Sequence, residues 1–239
     1  MKIALIGYGK MGKEIEAAAI LRGHSIVLKV DSKNASSYTD QELTMADIAI
    51  EFSQPAMAMD SILRCLSLDL PIVVGTTGWY EKLNDVKQLV LQKKQAFLYA
   101  SNFSIGVNLF FELNKQLATL MKEQKEYSVG IQEIHHLQKL DSPSGTAITL
   151  AEDLLLQFPQ KNNWANTKIT EKETIGIESL RMEGVPGTHT IQYNSEIDSI
   201  EIKHTAHNRK GFALGSVIAA EWLNGKKGFY TMRDVLGYS

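Results

Sequence analysis

The chain has a single cysteine, Cys65, among its 239 residues. That excludes an internal disulfide and suits a reducing compartment, so a cytoplasmic protein is expected. Long hydrophobic runs are also missing. None approaches the roughly 20 apolar residues of a membrane-spanning helix, so no membrane partner is expected. The opening "MKIALIGYGK" reads as a strand at once, so no secretory leader is expected. There is no excess of one charge either: 25 Lys and Arg stand against 27 Asp and Glu, a formal net charge of -2. General attraction to nucleic acid is therefore not expected, and an anionic ligand must be met by local charge. The sequence has no zinc-type Cys/His cluster, internal repeat or low-complexity segment.

What is present is ordinary for a globular protein: 44% hydrophobic and 22% charged residues, over a length that allows one large or two modest domains. "KIALIG", "KMGKEIEAAAILRG" and "HSIVLKVD" read as strand, helix and strand, a βαβ unit of about thirty residues. The alternation continues through "ADIAIEFS", a helix opened by Pro55, "PIVVG", "EKLNDVKQLVLQKK" and "AFLYA". It predicts an α/β fold with a parallel sheet covered on both faces, a Rossmann dinucleotide-binding domain. After Asn102 the pattern changes. A long helix, "IGVNLFFELNKQLATLMKE", precedes the strand-like "YSVGIQEIHH" and the helix "TAITLAEDLLLQF". From Lys168 to His207 short strands follow, with turn signals at Gly176, Gly184, Pro186 and Gly187. This predicts a second, α+β domain with a mostly antiparallel open sheet. "GFALGSVIAAEWL" is expected to return to the first domain. The expected division is 1–103 with 214–239, and 104–213.

The segment Gly7, Tyr8, Gly9, Lys10, Met11, Gly12 fits G-x-G-x-x-G. A strand precedes it, a helix follows, and Asp31 lies about twenty residues on, at the end of the second strand. Gly7 would permit the tight turn, Gly9 the approach of a pyrophosphate, and Gly12 close helix–strand packing. The helix start offers N–H groups and a positive dipole end to phosphates. A plain turn in a flavodoxin-like sheet is the competing reading. Asp31 suits the ribose 2′-hydroxyl of NADH, while Ser32 and Lys33 could meet the 2′-phosphate of NADPH, so both cofactors are expected to work. Two further loops, Gly75, Thr76, Thr77 and Ala100, Ser101, Asn102, Phe103, follow later strands. Ligands of open α/β sheets sit at such strand ends.

"EIHHLQKLDSPSGTA", residues 133–147, gathers two of the six histidines, a lysine and a Pro-Ser-Gly-Thr turn ahead of a helix. Glu133 and His135 share a strand face and could hold a metal, but Lys139 would repel one, so no metal is expected. A nicotinamide reductase without metal needs a proton source, and histidine or lysine serves. Lys139 and His136 supply positive charge. Pro143 fixes the turn, and Gly145 and Thr146 offer backbone N–H groups to a carboxylate. The segment reads as acid, cations and anion cradle for a small carboxylate. Arg181 and Arg209 read as surface arginines.

On these residues the chain resembles the dihydrodipicolinate (4-hydroxy-tetrahydrodipicolinate) reductase family. The segment 133–147 matches that family's E-x-H-H-x-x-K-x-D-x-P-S-G-T-A signature at every fixed position, and "EFSQP", "GTTG", "ASNFSIGVN" and "GKKGFYTMRDVLG" resemble family segments in the family's order. The glycine loop is one residue shorter than in many members. The resemblance implies His135 as proton donor with Lys139 also serving in protonation. It implies substrate carboxylates at His136, Gly145 and Thr146, and NADH or NADPH along 7–12, Asp31, 75–77 and 100–103. It further implies hydride transfer to a small cyclic dicarboxylate with loss of water, hinge closure between domains, and a homotetramer assembled through the second domain's sheets. Another Rossmann oxidoreductase acting on a small acid would not need the His-His-x-x-Lys and S-G-T-A pair. A non-catalytic nucleotide sensor would have no use for either.

Overall fold

The computed structural model describes residues 1–168 and 172–238. Residues 169–171, at the start of the predicted short-strand region, lie outside the described residues. The chain divides into two compact units, Met1–Ile105 with Arg209–Ser239, and Gly106–Asn208.

The first unit alternates as its sequence suggests. Its elements are β1 (Lys2–Ile6), α1 (Lys10–Leu21), β2 (Ser25–Val30), α2 (Asp40–Leu43), β3 (Ile48–Glu51), α3 (Pro55–Ser67) and β4 (Ile72–Val74). A 3₁₀ turn (Tyr80–Lys82), α4 (Leu83–Lys93) and β5 (Ala96–Tyr99) follow. The short helix α2 was not expected. Thr39 caps it in a reciprocal pair with Glu42, which lets four residues hold a turn.

The second unit contains α5 (Ile105–Met121), β6 (Ser128–His135), α6 (Gly145–Leu155), β7 (Asn163–Ala165), β8 (Thr174–Arg181), β9 (Gly187–Asn194) and β10 (Ser199–Ala206). The chain then returns to the first unit through α7 (Lys210–Leu223), β11 (Gly228–Tyr230) and α8 (Met232–Leu236).

The first sheet has the order β11-β5-β4-β3-β1-β2 and every pairing is parallel. Alternate side chains of each strand feed two different cores. Ala4, Ile6, Ala49 and Phe97 pack with α3 and α4, through Ile62, Leu66, Val86 and Val90. Ile3, Leu5, Ile48, Ile50 and Leu98 pack with α1 and α7, through Ile15, Ala19, Val217 and Ala220. Burial on both faces is what makes these strands read as continuous apolar runs. The sixth strand, β11, pairs with β5 and comes from a tail that sequence patterning did not mark as a strand.

The second sheet corrects the mostly antiparallel expectation. Its order is β10-β9-β6-β8-β7, with β10–β9 and β9–β6 antiparallel but β6–β8 and β8–β7 parallel. The cause is α6. It follows β6 and packs against β6, β7 and β8, so the chain re-enters the sheet in the direction it left.

Along one face of this sheet the chemistry changes. Val129, Ile131, Ile175, Ile177, Ile191 and Tyr193 form the core with α5 and α6. The next residues of the same parity are Glu133 and His135 on β6, Ser179 and Arg181 on β8, and His189 and Gly187 on β9. Register places Glu133 opposite both Ser179 and His189, and His135 opposite Arg181. The polar cluster is thus the end of the apolar face.

Candidate active site

In the first unit the glycine loop links β1 to α1. Gly7 has φ +96°, and a Cβ there would lie 2.1 Å from the Phe52 carbonyl oxygen. A Cβ at Gly12 would meet the Gly7 carbonyl at 2.7 Å, whereas one at Gly9 would meet nothing within 4 Å. Gly7 and Gly12 are thus demanded by the protein's own packing. Gly9, the residue before α1, leaves open space at a helix start where phosphate N–H donors are expected. This is the room a pyrophosphate needs.

A cavity of about 570 Å³ adjoins the loop and is lined by Gly7, Tyr8, Gly9 and Asp31 among others. Asp31 accepts a hydrogen bond from the Lys33 N–H at 2.8 Å, and Asn34 Oδ1 accepts from the Asp31 N–H at 2.7 Å, so the carboxylate is held at the end of β2. The Lys33 side chain is exposed. Tyr8 donates to Glu16, which also pairs with Lys29 at 2.5 Å.

The other predicted cofactor residues are placed unevenly. Lys10 is exposed, and Met11 packs against the α1–α7 core. Gly75, Thr76 and Thr77 follow β4, and Ala100, Ser101, Asn102 and Phe103 follow β5, at the same sheet edge but outside the lining of that cavity. The Thr76 hydroxyl is turned inward and donates to Glu51 Oε1 at 2.9 Å, while Thr77 is exposed. Phe103 is buried with its ring 5.5 Å from that of Phe52, so only its backbone can meet a ligand. Ser53 and Gln54 also line the cavity. They follow β3, and their place at a strand end was the available signal.

The loops after β3 and β4 meet at Glu51, which is fully buried. Its Oε1 accepts from the Ser53 N–H at 2.8 Å, from the Ser53 hydroxyl and from Thr76, while Oε2 is buried with no hydrogen-bond partner. Burial raises the Glu51 pKa above the usual carboxylate range, against these donors.

In the second unit Glu133 is the hub. It is fully buried, and both its oxygens accept from the Ser144 N–H, at 3.0 and 3.1 Å. The Ser179 hydroxyl donates to Oε1 at 2.8 Å. His135 Nδ1 stands 3.4 Å and His189 Nε2 3.6 Å from Oε2, and Arg181 Nη1 3.8 Å from Oε1. Burial alone would raise the Glu133 pKa. The nearby His189 ring and the hydrogen bonds from Ser144 and Ser179 outweigh it and hold the carboxyl at about 2. His135 is buried in turn, which pushes its imidazole down to about 4, with the Glu133 charge opposing.

Ser144 caps α6, its hydroxyl accepting from the Ala147 N–H at 3.2 Å and lying 3.0 Å from His189 Nε2. Gly145 and Thr146 follow as the first helical residues, so their N–H groups precede the helix's own ladder. Lys139 Nζ reaches both Asp141 oxygens at 2.8 Å. His136 is half-buried.

Arg181 is not a surface arginine. It donates to the Asp141 carbonyl at 2.8 Å and the Lys139 carbonyl at 3.4 Å, clamping the loop that carries Lys139. Arg209 is exposed just before α7. His189, Ser179 and the hub role of Glu133 escaped sequence reading, because strand register alone brings them together. Glu133, His135 and His189 offer atoms within 4.8 Å of one another, a spacing that metal ligands also show. The carboxylate is already engaged by Ser144 and Ser179 and flanked by Arg181, which favours a hydrogen-bonded network over a metal centre.

Comparison with known proteins gives the family. The family model "Dihydrodipicolinate reductase, N-terminus" matches residues 1–103, and "Dihydrodipicolinate reductase, C-terminus" matches residues 106–236. A 4-hydroxy-tetrahydrodipicolinate reductase of Christiangramia forsetii is 51% identical over 237 residues, covering 99% of this chain and 98% of that protein. One from Neisseria meningitidis is 33% identical, covering 93% and 84%. A solved dipicolinate-bound dihydrodipicolinate reductase from Paenisporosarcina sp. TG-14 has the same fold, with a TM-score of 0.80 at 24% identity and 98% of both chains covered. The chain therefore belongs to the dihydrodipicolinate reductase family.

Proposed function

We propose that the chain reduces 4-hydroxy-tetrahydrodipicolinate to tetrahydrodipicolinate with NADH or NADPH and loss of water, as an enzyme of lysine and diaminopimelate synthesis. The observation that carries this reading is the bond between Glu133 and Ser144. It joins the strand bearing His135 to the turn that opens α6, so a proton donor and a carboxylate cradle share one small site.

Each group has a role its surroundings support. The Gly145 and Thr146 N–H groups, at the positive end of the α6 dipole, take one substrate carboxylate. His136 and Lys139 add positive charge. His135 donates the proton, and Lys139 assists. Burial keeps the His135 imidazole largely neutral near pH 7. A dicarboxylate beside it adds negative charge and so favours the imidazolium form that can donate. Lys139 must exchange Asp141 for the substrate, and the Arg181 clamp keeps its loop in place meanwhile. The nicotinamide supplies the hydride when bound. Gly9 with the start of α1 receives its pyrophosphate, Asp31 its ribose, and the loops 75–77 and 100–103 the rest.

The test is to follow nicotinamide absorbance after adding freshly made cyclic dicarboxylate. Oxidation that depends on that substrate is expected, and none with simple 2-oxo acids. Turnover of the simple acids alone would contradict the assignment.

A cytoplasmic location is supported by the lone buried Cys65, and among the described residues no helix is long and apolar enough to cross a membrane. Assembly as a homotetramer is supported by the second sheet, whose helices α5 and α6 share one face with its core. The other face presents paired polar groups such as Gln132–Glu178 and Gln192–Glu201. Sedimentation equilibrium at a tetramer's mass is the expected result.

A further inference from the structure

We propose that Glu133 is a positioning residue whose carboxylate ties the anion-binding turn at the start of α6 to His135, so that one buried group sets both substrate capture and protonation. This rests on the functional reading above and adds to it a residue that neither binds substrate nor transfers a proton.

The geometry carries the argument. Glu133 and His135 lie on the same face of β6 with one residue between them. The Ser144 N–H is bonded to the carboxylate, and Ser144 is the residue immediately before Gly145 and Thr146. A displacement of the carboxylate therefore moves the cradle. His189 adds a second tie from β9, through the Ser144 hydroxyl at 3.0 Å. The His135 ring is walled on two sides. A Cβ at Gly187 would lie 3.0 Å from its Nε2, and its Nδ1, buried without a hydrogen-bond partner, stands 3.4 Å from Glu133 Oε2.

The charges around His135 point the same way. Glu133 on β6 faces it, as do His189 from β9, Arg181 from β8 and Lys139 from the following loop. Burial and the other three groups disfavour the imidazolium; Glu133 favours it. No neutral side chain replaces that effect. A glutamine would also turn an NH₂ group toward either the Ser144 N–H or the histidines, where donors now meet an acceptor.

The experiment compares wild type, Glu133→Gln and Glu133→Asp. It measures the His135 titration by NMR, the Kd of dipicolinate, the Kd of NADH, and steady-state kinetics. In Glu133→Gln the His135 midpoint should fall by about one pH unit, since a neighbouring opposite charge is worth that order of shift. The dipicolinate Kd and the substrate KM should rise about tenfold, and kcat should fall about 10- to 100-fold. The Kd for NADH should stay within about twofold, because Glu133 lies in the second unit. Glu133→Asp should restore most of the His135 midpoint while leaving the dipicolinate Kd raised, because the charge returns but the shorter arm draws away from Ser144. An unchanged His135 midpoint together with unchanged dipicolinate affinity in Glu133→Gln would overturn the proposal. So would loss of a cooperative unfolding transition in both variants, which would make Glu133 a residue of the fold alone. The NMR and dipicolinate measurements need no turnover. An inactive wild type would thus sink the functional reading while these two results still decide the role of Glu133.

Discussion

Two buried carboxylates, one in each unit, show how differently the same group can be held. Glu51 and Glu133 both sit near strand ends and both are fully buried. Glu51 has its donors on Oε1 alone, from Ser53 and Thr76, and burial wins: its pKa is raised. Glu133 has donors on both oxygens and two histidines and an arginine around it, and its pKa is held at about 2. Burial opposes charge in both places. What differs is whether enough donors and cations converge to outweigh it. The first unit uses its buried acid to pin loops that present backbone. The second uses its acid to organise charged side chains. That contrast fits the proposed division of labour, cofactor recognition by backbone and proton chemistry by side chains.

The contrast can be broken most sharply at His135. His135→Gln should lower kcat by about 10²–10⁴-fold while the Kd for NADH hardly moves, because general acid catalysis is worth that much. Lys139→Met should act in the same direction and also raise the substrate KM. Steady-state kinetics with a separate cofactor titration read both, and a kcat within a few-fold of wild type for both variants would remove the side-chain chemistry from the second unit.

Stability against acid sharpens it next. The folded His135 pKa of about 4 lies below its unfolded value near 6.5. The unfolded chain therefore binds the proton first, and stability falls as pH drops through that window, by roughly 3 kcal/mol. His204, also lowered by burial, acts with the same sign, and Glu133 extends the loss as pH falls from about 4.5 toward about 2. Urea unfolding between pH 7 and pH 4.5 should show this slope, reduced but not abolished in His135→Gln. A slope identical in the two proteins would mean that His135 is not held neutral.

Thr146→Val keeps the backbone N–H assigned to the carboxylate and removes the side-chain hydroxyl beside it, a second donor to the same group. A hydrogen bond to a charged partner is worth roughly 1.5–3 kcal/mol. The dicarboxylate KM should rise by about 10- to 100-fold and the nicotinamide KM should stay put; the reverse pattern would place this turn in the other pocket. In the first unit, an Asp31 carboxylate at the ribose would favour NADH and a Lys33 cation there would favour NADPH, so kcat/KM for the two should agree within about 30-fold. Asp31→Ala should harm NADH use more, and Lys33→Ala should harm NADPH use. The smallest effect is expected at Glu51. Glu51→Gln removes a charge that burial opposes and keeps an oxygen to accept from Ser53 and Thr76, so unfolding free energy at neutral pH should change by less than about 1 kcal/mol. A loss of several kcal/mol there would erase the difference between the two carboxylates.

The sequence made the first unit legible because its signals are contiguous. Strand, Gly7 to Gly12, helix and Asp31 follow one another along the chain, and alternation of apolar runs marks the parallel sheet. β11 was not legible: its three residues, Gly228–Tyr230, are too few for a period and gain their place only by pairing with β5. The mixed order of the second sheet was hidden for a related reason. Strand patterning reports which face is buried but not the direction of a neighbour, and α6 sets that direction. In the site, residues 133–147 could be read because they are one segment. His189, Ser179 and Arg181 reach Glu133 and its loop from other strands, and only the register Glu133 to Ser179 and His189 reveals them. Thr76 illustrates the converse. Its loop was read as facing a cofactor, yet its hydroxyl is spent on Glu51, an acid buried out of sight of any motif.

We expect direct hydride transfer from the nicotinamide to a cyclic dicarboxylate bound through residues of the second unit. Its most direct test is one turnover with NADH deuterated at the transferable position, followed by mass spectrometry of the reduced dicarboxylate. The expected product is heavier by one mass unit and forms only when the cyclic dicarboxylate is present. An unlabelled product, or nicotinamide oxidation without a reduced dicarboxylate, would contradict it.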